Sequence, residues 1–376
     1  MTRVLIVDDS VVFRKILGEA LGKHPGISVV GTACNGKEAV RKARLLKPDL
    51  MILDVEMPEM DGLATLDELR KQRLKPGVIM FSTLTSAGAK TTIEALSKGA
   101  FDFVPKPTGT GAFAQSVKRI QQELIPKIEA FGQNRNGNRK IASNRGPARP
   151  MPAAKARRRP SASLRNNHQV QRNIRKFAGK ALNFKAEAVA IGVSTGGPNA
   201  LNQVIPRFPS TFRLPVFLVQ HMPPVFTSQL ASRLNQKSKI RVVEAQDGMQ
   251  VRPGTVYVAP GDYHMEVTRK NKAKIIRLNQ DPPVNSCRPA VDVLFRSVAE
   301  VYGERVVAAV LTGMGQDGFE GAKLLKKKGA RIIAQDRQTS VVWGMPKLIV
   351  EAGIADRVVP LAVVTSTIME LSGQRY

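Results

Sequence analysis

Short apolar runs that stop at polar residues recur through the first hundred positions. Arg3 to Val7 runs into Asp8-Asp9, Asp49 to Leu53 into Asp54, Gly77 to Phe81 into Ser82, and Phe101 to Val104 into Lys106-Pro107. Runs of this length, separated by helical stretches, predict buried strands alternating with helices: an α/β domain whose parallel sheet is covered on both faces. Each polar candidate then stands at the C-terminal end of a strand. Ligands bind along that edge in open α/β sheets, so the four strand ends converge on one pocket. The pattern resumes with Ala188 to Val193, Pro215 to Val219, Val306 to Leu311 and Ile332-Ile333-Ala334, again ending in polar or glycine-rich turns.

The stretch between these two regions has no such periodicity. From 130 to 186 it holds 15 Lys and Arg residues, including Arg157, Arg158 and Arg159, and no Asp or Glu. That supplies 15 of the 28 excess positive charges of the 376-residue chain. Too little apolar surface is present there to offset the entropy of ordering, which predicts a basic flexible linker over 123–185 between a domain over 1–122 and another over 186–376. Such a tether is extended by its own charge and has the means to attract acidic surfaces. No run of ~18 apolar residues is present to span a bilayer, and the apolar start is cut at once by Asp8 and Asp9, so a cytoplasmic protein is expected. Only Cys34 and Cys287 occur, which gives no disulfide framework and no metal cluster.

Three carboxylates crowded at one sheet edge repel one another unless a divalent cation joins them, and hard oxygen ligands suit Mg²⁺. Asp8, Asp9 and Asp54 are the expected ligands, with the Glu56 backbone carbonyl brought up by the loop after Asp54. Lys106 offers a point charge and Ser82 a hydroxyl to an incoming phosphoryl group, and Asp54, on the central strand, is the expected nucleophile. A strand-terminal Asp is by itself usually a turn or cap residue. Taken in order, however, the set resembles the receiver domain of bacterial response regulators over residues 1 to 120, including Asp61-Gly62 and Lys106-Pro107. The resemblance implies a flavodoxin-like fold with a five-stranded parallel sheet, a phosphodonor histidine kinase, an aspartyl-phosphate at Asp54, a switch involving Ser82 and Phe103, and a cis bond at Lys106-Pro107.

In the second domain the strand from Ala188 runs into Ser194-Thr195-Gly196-Gly197, a serine on a sharp strand-to-helix turn. The turn has the architecture of a nucleophile elbow, although its spacing is not G-x-S-x-G, and a glycine-rich helix start is equally a phosphate cradle. No G-x-G-x-x-G and no Gly-Lys-Ser/Thr accompanies it. Of the four histidines, His24 and His168 lie outside this domain. His221 ends an apolar strand before Met222-Pro223-Pro224 and is preferred as base over His264, which follows Pro260-Gly261-Asp262-Tyr263 in an apparent hairpin turn with an exposed or hydrogen-bonded surface role. Asp317, in the glycine-rich loop after Val306 to Leu311, is the candidate for orienting the base, with Asp336 as its structural competitor.

Ser194-Thr195-Gly196-Gly197, Gln220-His221-Met222, Arg288-Pro289 with Val291 to Phe295, Gly313 to Gly318, and Ala334-Gln335-Asp336 through Gly344-Met345-Pro346 together resemble the catalytic domain of the chemotaxis protein-glutamate methylesterases, the CheB family. The resemblance covers roughly 186 to 370 and implies a doubly wound α/β domain without a cofactor. It also implies Ser194 as nucleophile, His221 as general base, Asp317 as its orienting carboxylate, and an oxyanion hole at the Met314 N–H beside Thr195. The implied substrates are glutamate methyl esters on the helical cytoplasmic bundle of chemoreceptors, with glutamine deamidation in some members. One position departs from the family's usual pattern: Cys287 stands where a histidine is common. A DNA-binding output domain would account for the charge, but no helix-turn-helix pattern follows the linker, so no specific nucleic acid is expected. A receptor-binding adaptor would leave the triad without work. The chain is expected to act as a monomer.

Overall fold

The computed structural model describes residues 1–107, 113–143 and 184–374, apart from the side chains of 134–143. The N-terminal domain alternates strictly: β1 (Thr2–Val7), α1 (Val11–Gly22), β2 (Ile27–Ala33), α2 (Gly36–Leu46), β3 (Leu50–Asp54), α3 (Gly62–Lys71), β4 (Gly77–Ser82), α4 (Ser86–Ser97), β5 (Asp102–Pro105) and α5 (Phe113–Ser143). Four helices start where a side-chain oxygen accepts an otherwise orphaned backbone N–H: Ser10 from Phe13, Asn35 from Glu38, Asp61 from Ala64 and Thr85 from Gly88. The five strands form one parallel sheet in the order β2-β1-β3-β4-β5. This is the flavodoxin-like order, whose ligand crevice opens at the C-terminal ends of β1 and β3.

The last helix corrects the expected boundary. Ile120, Leu124 and Ile128 recur at helical spacing and are buried in the N-terminal core, so this domain's packing runs past residue 122. α5 itself continues to Ser143, through the first basic positions assigned to the linker. Of the rest of the expected linker, 144–183 lies outside the described residues. A second correction concerns Lys106-Pro107. Arg288-Pro289 is the one cis peptide among the described residues, so the Lys106-Pro107 bond is trans, the cheaper isomer even for proline.

The C-terminal domain contains β6 (Ala188–Val193), α6 (Gly197–Val204), β7 (Val216–Gln220), α7 (Phe226–Lys237), β8 (Arg241–Glu244), β9 (Thr255–Val258), the hairpin β10 (His264–Lys270) and β11 (Ala273–Asn279), α8 (Val291–Tyr302), β12 (Val306–Val310), α9 (Phe319–Lys328), β13 (Arg331–Gln335), α10 (Met345–Glu351), β14 (Arg357–Val359) and α11 (Val364–Ser372). Seven strands make a parallel sheet in the order β14-β13-β12-β6-β7-β9-β8. Val189, Ile191 and Val193 of β6 enter one apolar cluster while Ala188 and Ala190 enter the cluster on the opposite face. Burial on both faces is why such strands read as unbroken apolar runs rather than alternating ones. The chain moves outward from β6 through β7 and later returns to β12 on the other side of β6. The topological switch, and with it the crevice for a ligand, therefore lies beyond the C-terminal ends of β6 and β12.

The two domains touch through α4 and β5 on one side and the starts of α6 and α7 on the other. The Phe103 ring stacks on Phe226 with centroids 4.5 Å apart and planes 14° from parallel. From α6, Asn199 Nδ2 donates to the Ala100 carbonyl at 3.0 Å and Asn202 Nδ2 to Ser97 Oγ at 3.1 Å. Both contact helices follow directly from the strands that carry Ser194 and His221.

Candidate active site and phosphoryl pocket

Ser194 leaves β6 at the switch point, and its N–H donates to the Thr312 carbonyl at 3.0 Å, which fastens it to the end of β12. Gly196 then turns the chain into α6 with φ 76°, and a Cβ there would run into Val341. Gly313, one loop away, lies so close that a Cβ on it would stand 2.8 Å from Ser194 Cβ. The glycines around this turn are thus requirements of close approach. Thr195 is buried and its carbonyl accepts from Thr312 Oγ1 at 2.9 Å, while Met314 is 40% exposed beside the site.

His221 ends β7, next to β6, and its N–H donates to the Val193 carbonyl at 3.3 Å. Its Nε2 lies 2.7 Å from Asp317 Oδ2. Asp317 is held from several directions: Oδ2 accepts from the Val291 N–H at 2.6 Å, and Oδ1 from the N–H groups of Asp292 and Gly318, both at 3.0 Å. Val291 and Asp292 begin α8, so the carboxylate rests on a helix N-terminus, where backbone donors and the macrodipole favour negative charge. Burial would raise its pKa, but the His221 hydrogen bond and charge and these amides outweigh it, leaving Asp317 below the ordinary carboxylate range. At His221 burial works downward. It is overcome by the hydrogen bonds to Asp317 and Cys287 and by their charges, so the imidazole is pushed up to about 9.

The structure thus brings His221 and Asp317 together. It does not seat the Ser194 hydroxyl against the base: among the described residues Ser194 Oγ has no hydrogen-bond partner, and the other ring nitrogen, Nδ1, faces Cys287 Sγ at 3.5 Å. Asp336 is engaged elsewhere, capping Thr339. His264 is not on an exposed turn. It opens β10, is 1% exposed, accepts from the Ala290 N–H through Nδ1 at 3.2 Å, and lies 3.2 Å from the Pro282 carbonyl through Nε2. The preceding turn ends one residue earlier than the Pro-Gly signal suggested, which carries the ring inside as a core support. Sequence reasoning missed Asn285, whose Nδ2 bridges Asp292 Oδ2 at 2.9 Å and Asp317 Oδ1 at 3.1 Å. Nothing in a loop asparagine advertises that task. Cys287 was noticed only as a departure, whereas its contact with the imidazole needed coordinates.

At the N-terminal sheet edge the expected residues do converge. Asp8, Asp54, Ser82 and Lys106 are all buried, and Asp9 is exposed. Lys106 Nζ lies 2.7 Å from Asp54 Oδ2 and 2.9 Å from Asp8 Oδ2. Only the former is aligned as a hydrogen bond, so Asp8 Oδ2 remains a buried oxygen without a hydrogen-bond donor. Burial pushes the Asp54 carboxyl up to about 6, Lys106 pulling against it and the Asp8 charge adding to the rise. Ligand oxygens of Asp8, Asp9 and Asp54 lie within 4.8 Å of one another. An undersatisfied, mutually repelling carboxylate set of this kind fits Mg²⁺. The Glu56 N–H donates to Asp54 Oδ1 at 3.4 Å, and Ser82 Oγ donates to the Thr83 carbonyl at 3.3 Å.

Comparison with known proteins covers both domains. Residues 4–118 match the response regulator receiver domain and residues 189–368 match CheB methylesterase. A protein-glutamate methylesterase/protein-glutamine glutaminase of Trichodesmium erythraeum is 44% identical over 96% of each chain. The chain belongs to the CheB methylesterase family. A second relative of the same name, from Nocardioides sp., is 45% identical over 96% of this chain and 92% of its own. The Thermotoga maritima CheB methylesterase catalytic domain, a crystal structure, is 44% identical, covers 50% of this chain and 99% of its own, and aligns with a TM-score of 0.49. The N-terminal domain is accordingly a receiver and the C-terminal domain a CheB-type α/β domain. No helix among the described residues is long and apolar enough to cross a membrane.

Proposed function

We propose that the chain is a phosphorylation-controlled cytoplasmic serine hydrolase that removes methyl groups from glutamate methyl esters on chemoreceptors. The observation that carries the reading is Asp317, a buried carboxylate anchored by α8 amides and aimed at His221 Nε2 at 2.7 Å. With Nε2–H held by Asp317, Nδ1 carries the lone pair of the base. Ser194 leaves the strand adjacent to the one that ends at His221, and catalytic hydrogen bonds of this kind often tighten only when substrate is bound. His221 takes the Ser194 proton as the oxygen attacks the ester carbonyl. Backbone donors around Met314, beside Thr195, hold the oxyanion. Return of the proton to the methoxy group releases methanol, and water activated by His221 then frees glutamate from Ser194. A side-chain amide handled the same way would release ammonia, which is how glutamine deamidation would arise at this site.

In the receiver, Asp54 is the phosphoryl acceptor, supplied by a histidine kinase. Asp8, Asp9, Asp54 and the Glu56 carbonyl would hold Mg²⁺, which neutralises phosphoryl oxygens when bound. Lys106 and Ser82 engage the acquired phosphoryl group, and Phe103, one strand end away, conveys the rearrangement to Phe226. Hydrolysis of methyl-labelled receptor bundles by the fragment 184–376 tests the reading. Methanol release in step with loss of label is expected, whereas binding without release would make the chain an adaptor.

A further inference from the structure

The Cys287 thiol, 3.5 Å from His221 Nδ1, exchanges no proton and forms no bond in the proposed reaction. That spacing has a chemical meaning. Two ligands of one tetrahedral zinc ion, an imidazole nitrogen at ~2.0–2.1 Å and a thiolate sulfur at ~2.3 Å, stand about 3.5 Å apart. The opposite ring nitrogen is already bound to Asp317 at 2.7 Å, an arrangement that fixes the tautomer, leaves the Nδ1 lone pair toward the sulfur and raises its basicity, as an outer carboxylate does for a metal-bound histidine. Nitrogen, sulfur and carboxylate oxygen all lie within 4.8 Å of one another. Asp317 is in turn immobilised by the Val291 and Asp292 amides, so the ring is held in place for a ligand. Imidazole with thiolate selects a soft divalent cation over the Mg²⁺ suited to the carboxylates of the receiver.

We propose that His221 Nδ1 and Cys287 Sγ form an inhibitory site for a thiophilic divalent cation such as Zn²⁺, with water completing the coordination. On binding, the thiol and, below about pH 9, the His221 imidazolium give their protons to solvent, waters leave the cation, and Zn–S and Zn–N bonds form, with no change of oxidation state. The lone pair needed to take the Ser194 proton is then occupied, and hydrolysis stops until the cation is withdrawn.

The test uses the full chain, Zn²⁺ titrated against hydrolysis of a small ester, and Co²⁺ as a spectroscopic substitute. Expected are chelator-reversible loss of activity and a thiolate-to-cobalt charge-transfer band. Cys287→Ser should lose the band and raise the inhibitory Zn²⁺ concentration by at least about tenfold, the minimum that loss of even an outer partner commonly costs. Cys287→His should retain inhibition without the band, which also shows that the site folds. Asp54→Asn should alter neither, separating this site from the receiver carboxylates. Equal Zn²⁺ sensitivity of the parent and Cys287→Ser, or a cobalt adduct without the thiolate band, would overturn the proposal. Inhibition rests on His221 being the base, whereas the band does not, so a band without inhibition would count against the catalytic assignment and also against control by the cation.

Discussion

Removing the Phe103 ring should unlatch the receiver from the enzyme. Phe103 is 4% exposed and stacks on a fully buried Phe226 at 4.5 Å, while the neighbouring contacts are two amide hydrogen bonds from Asn199 and Asn202. Burying a Phe side chain is worth ~1.5–3 kcal/mol and a well-placed aromatic pair ~0.5–1.5 kcal/mol more. Part of that burial is internal to the receiver and survives undocking, so about 2 kcal/mol, or ~25-fold, is assigned to docking itself. An enzyme held ~99% closed needs only on the order of 3 kcal/mol of docking free energy. A ~25-fold weaker dock raises the open fraction from ~1% to ~20%, so the unphosphorylated Phe103→Ala chain should hydrolyse a small diffusing ester about twentyfold faster than its parent. The fragment 184–376 sets the ceiling. Initial rates of the three proteins without phosphodonor decide the matter, with phosphorylation of Asp54 in the variant as the control for an intact receiver. Should the fragment be fast while Phe103→Ala stays as slow as the parent, the stacked pair is not the latch. A fragment no faster than the parent would mean that the docked receiver does not restrain the enzyme.

Three further outcomes follow from the same geometry. Ser194→Ala and His221→Ala should each remove nearly all esterase activity and their combination should cost little more, since groups acting as a unit are not additive; His264→Ala should cost less, and a reversal of the two histidines would reassign the base. The pH profile of kcat/KM should climb as His221, raised to about 9, loses its proton, because the base works only when neutral. In Cys287→Ala one of the groups that raise it is gone, so the midpoint should move to lower pH; an unmoved midpoint would mean that the thiol does not act on the ring. Asp54→Asn should stay at the unphosphorylated rate with phosphodonor and Mg²⁺ present, and stimulation there would place the acceptor elsewhere.

The strand-end logic made both pockets legible before any coordinates. Asp8, Asp54, Ser82 and Lys106 were recoverable because in a parallel sheet the C-terminal ends of neighbouring strands must meet, and Ser194 and His221 end adjacent strands for the same reason. Contacts made across loops were not legible. Asn285 reaches two carboxylates from a backbone at φ 52°, and Cys287 meets His221 only because its loop folds back over the sheet. His264 was misplaced by a single residue of turn length, enough to exchange surface for core. The boundary at 122 fell short because the helical spacing of Leu124 and Ile128 goes on burying one face beyond it, whereas the basic run begins only at Arg135.

Which oxygen or sulfur becomes acylated is the most direct question to put to the site, since the structure sets Cys287, and not Ser194, against the free nitrogen of His221. Acid-quenching the phosphorylated enzyme during turnover of a slow ester, then locating the acyl group by peptide mass spectrometry, answers it. The adduct is expected on the peptide carrying Ser194, retained in Cys287→Ser and absent in His221→Ala. An adduct on Cys287, lost in Cys287→Ser, would contradict the serine mechanism and make this enzyme a cysteine hydrolase.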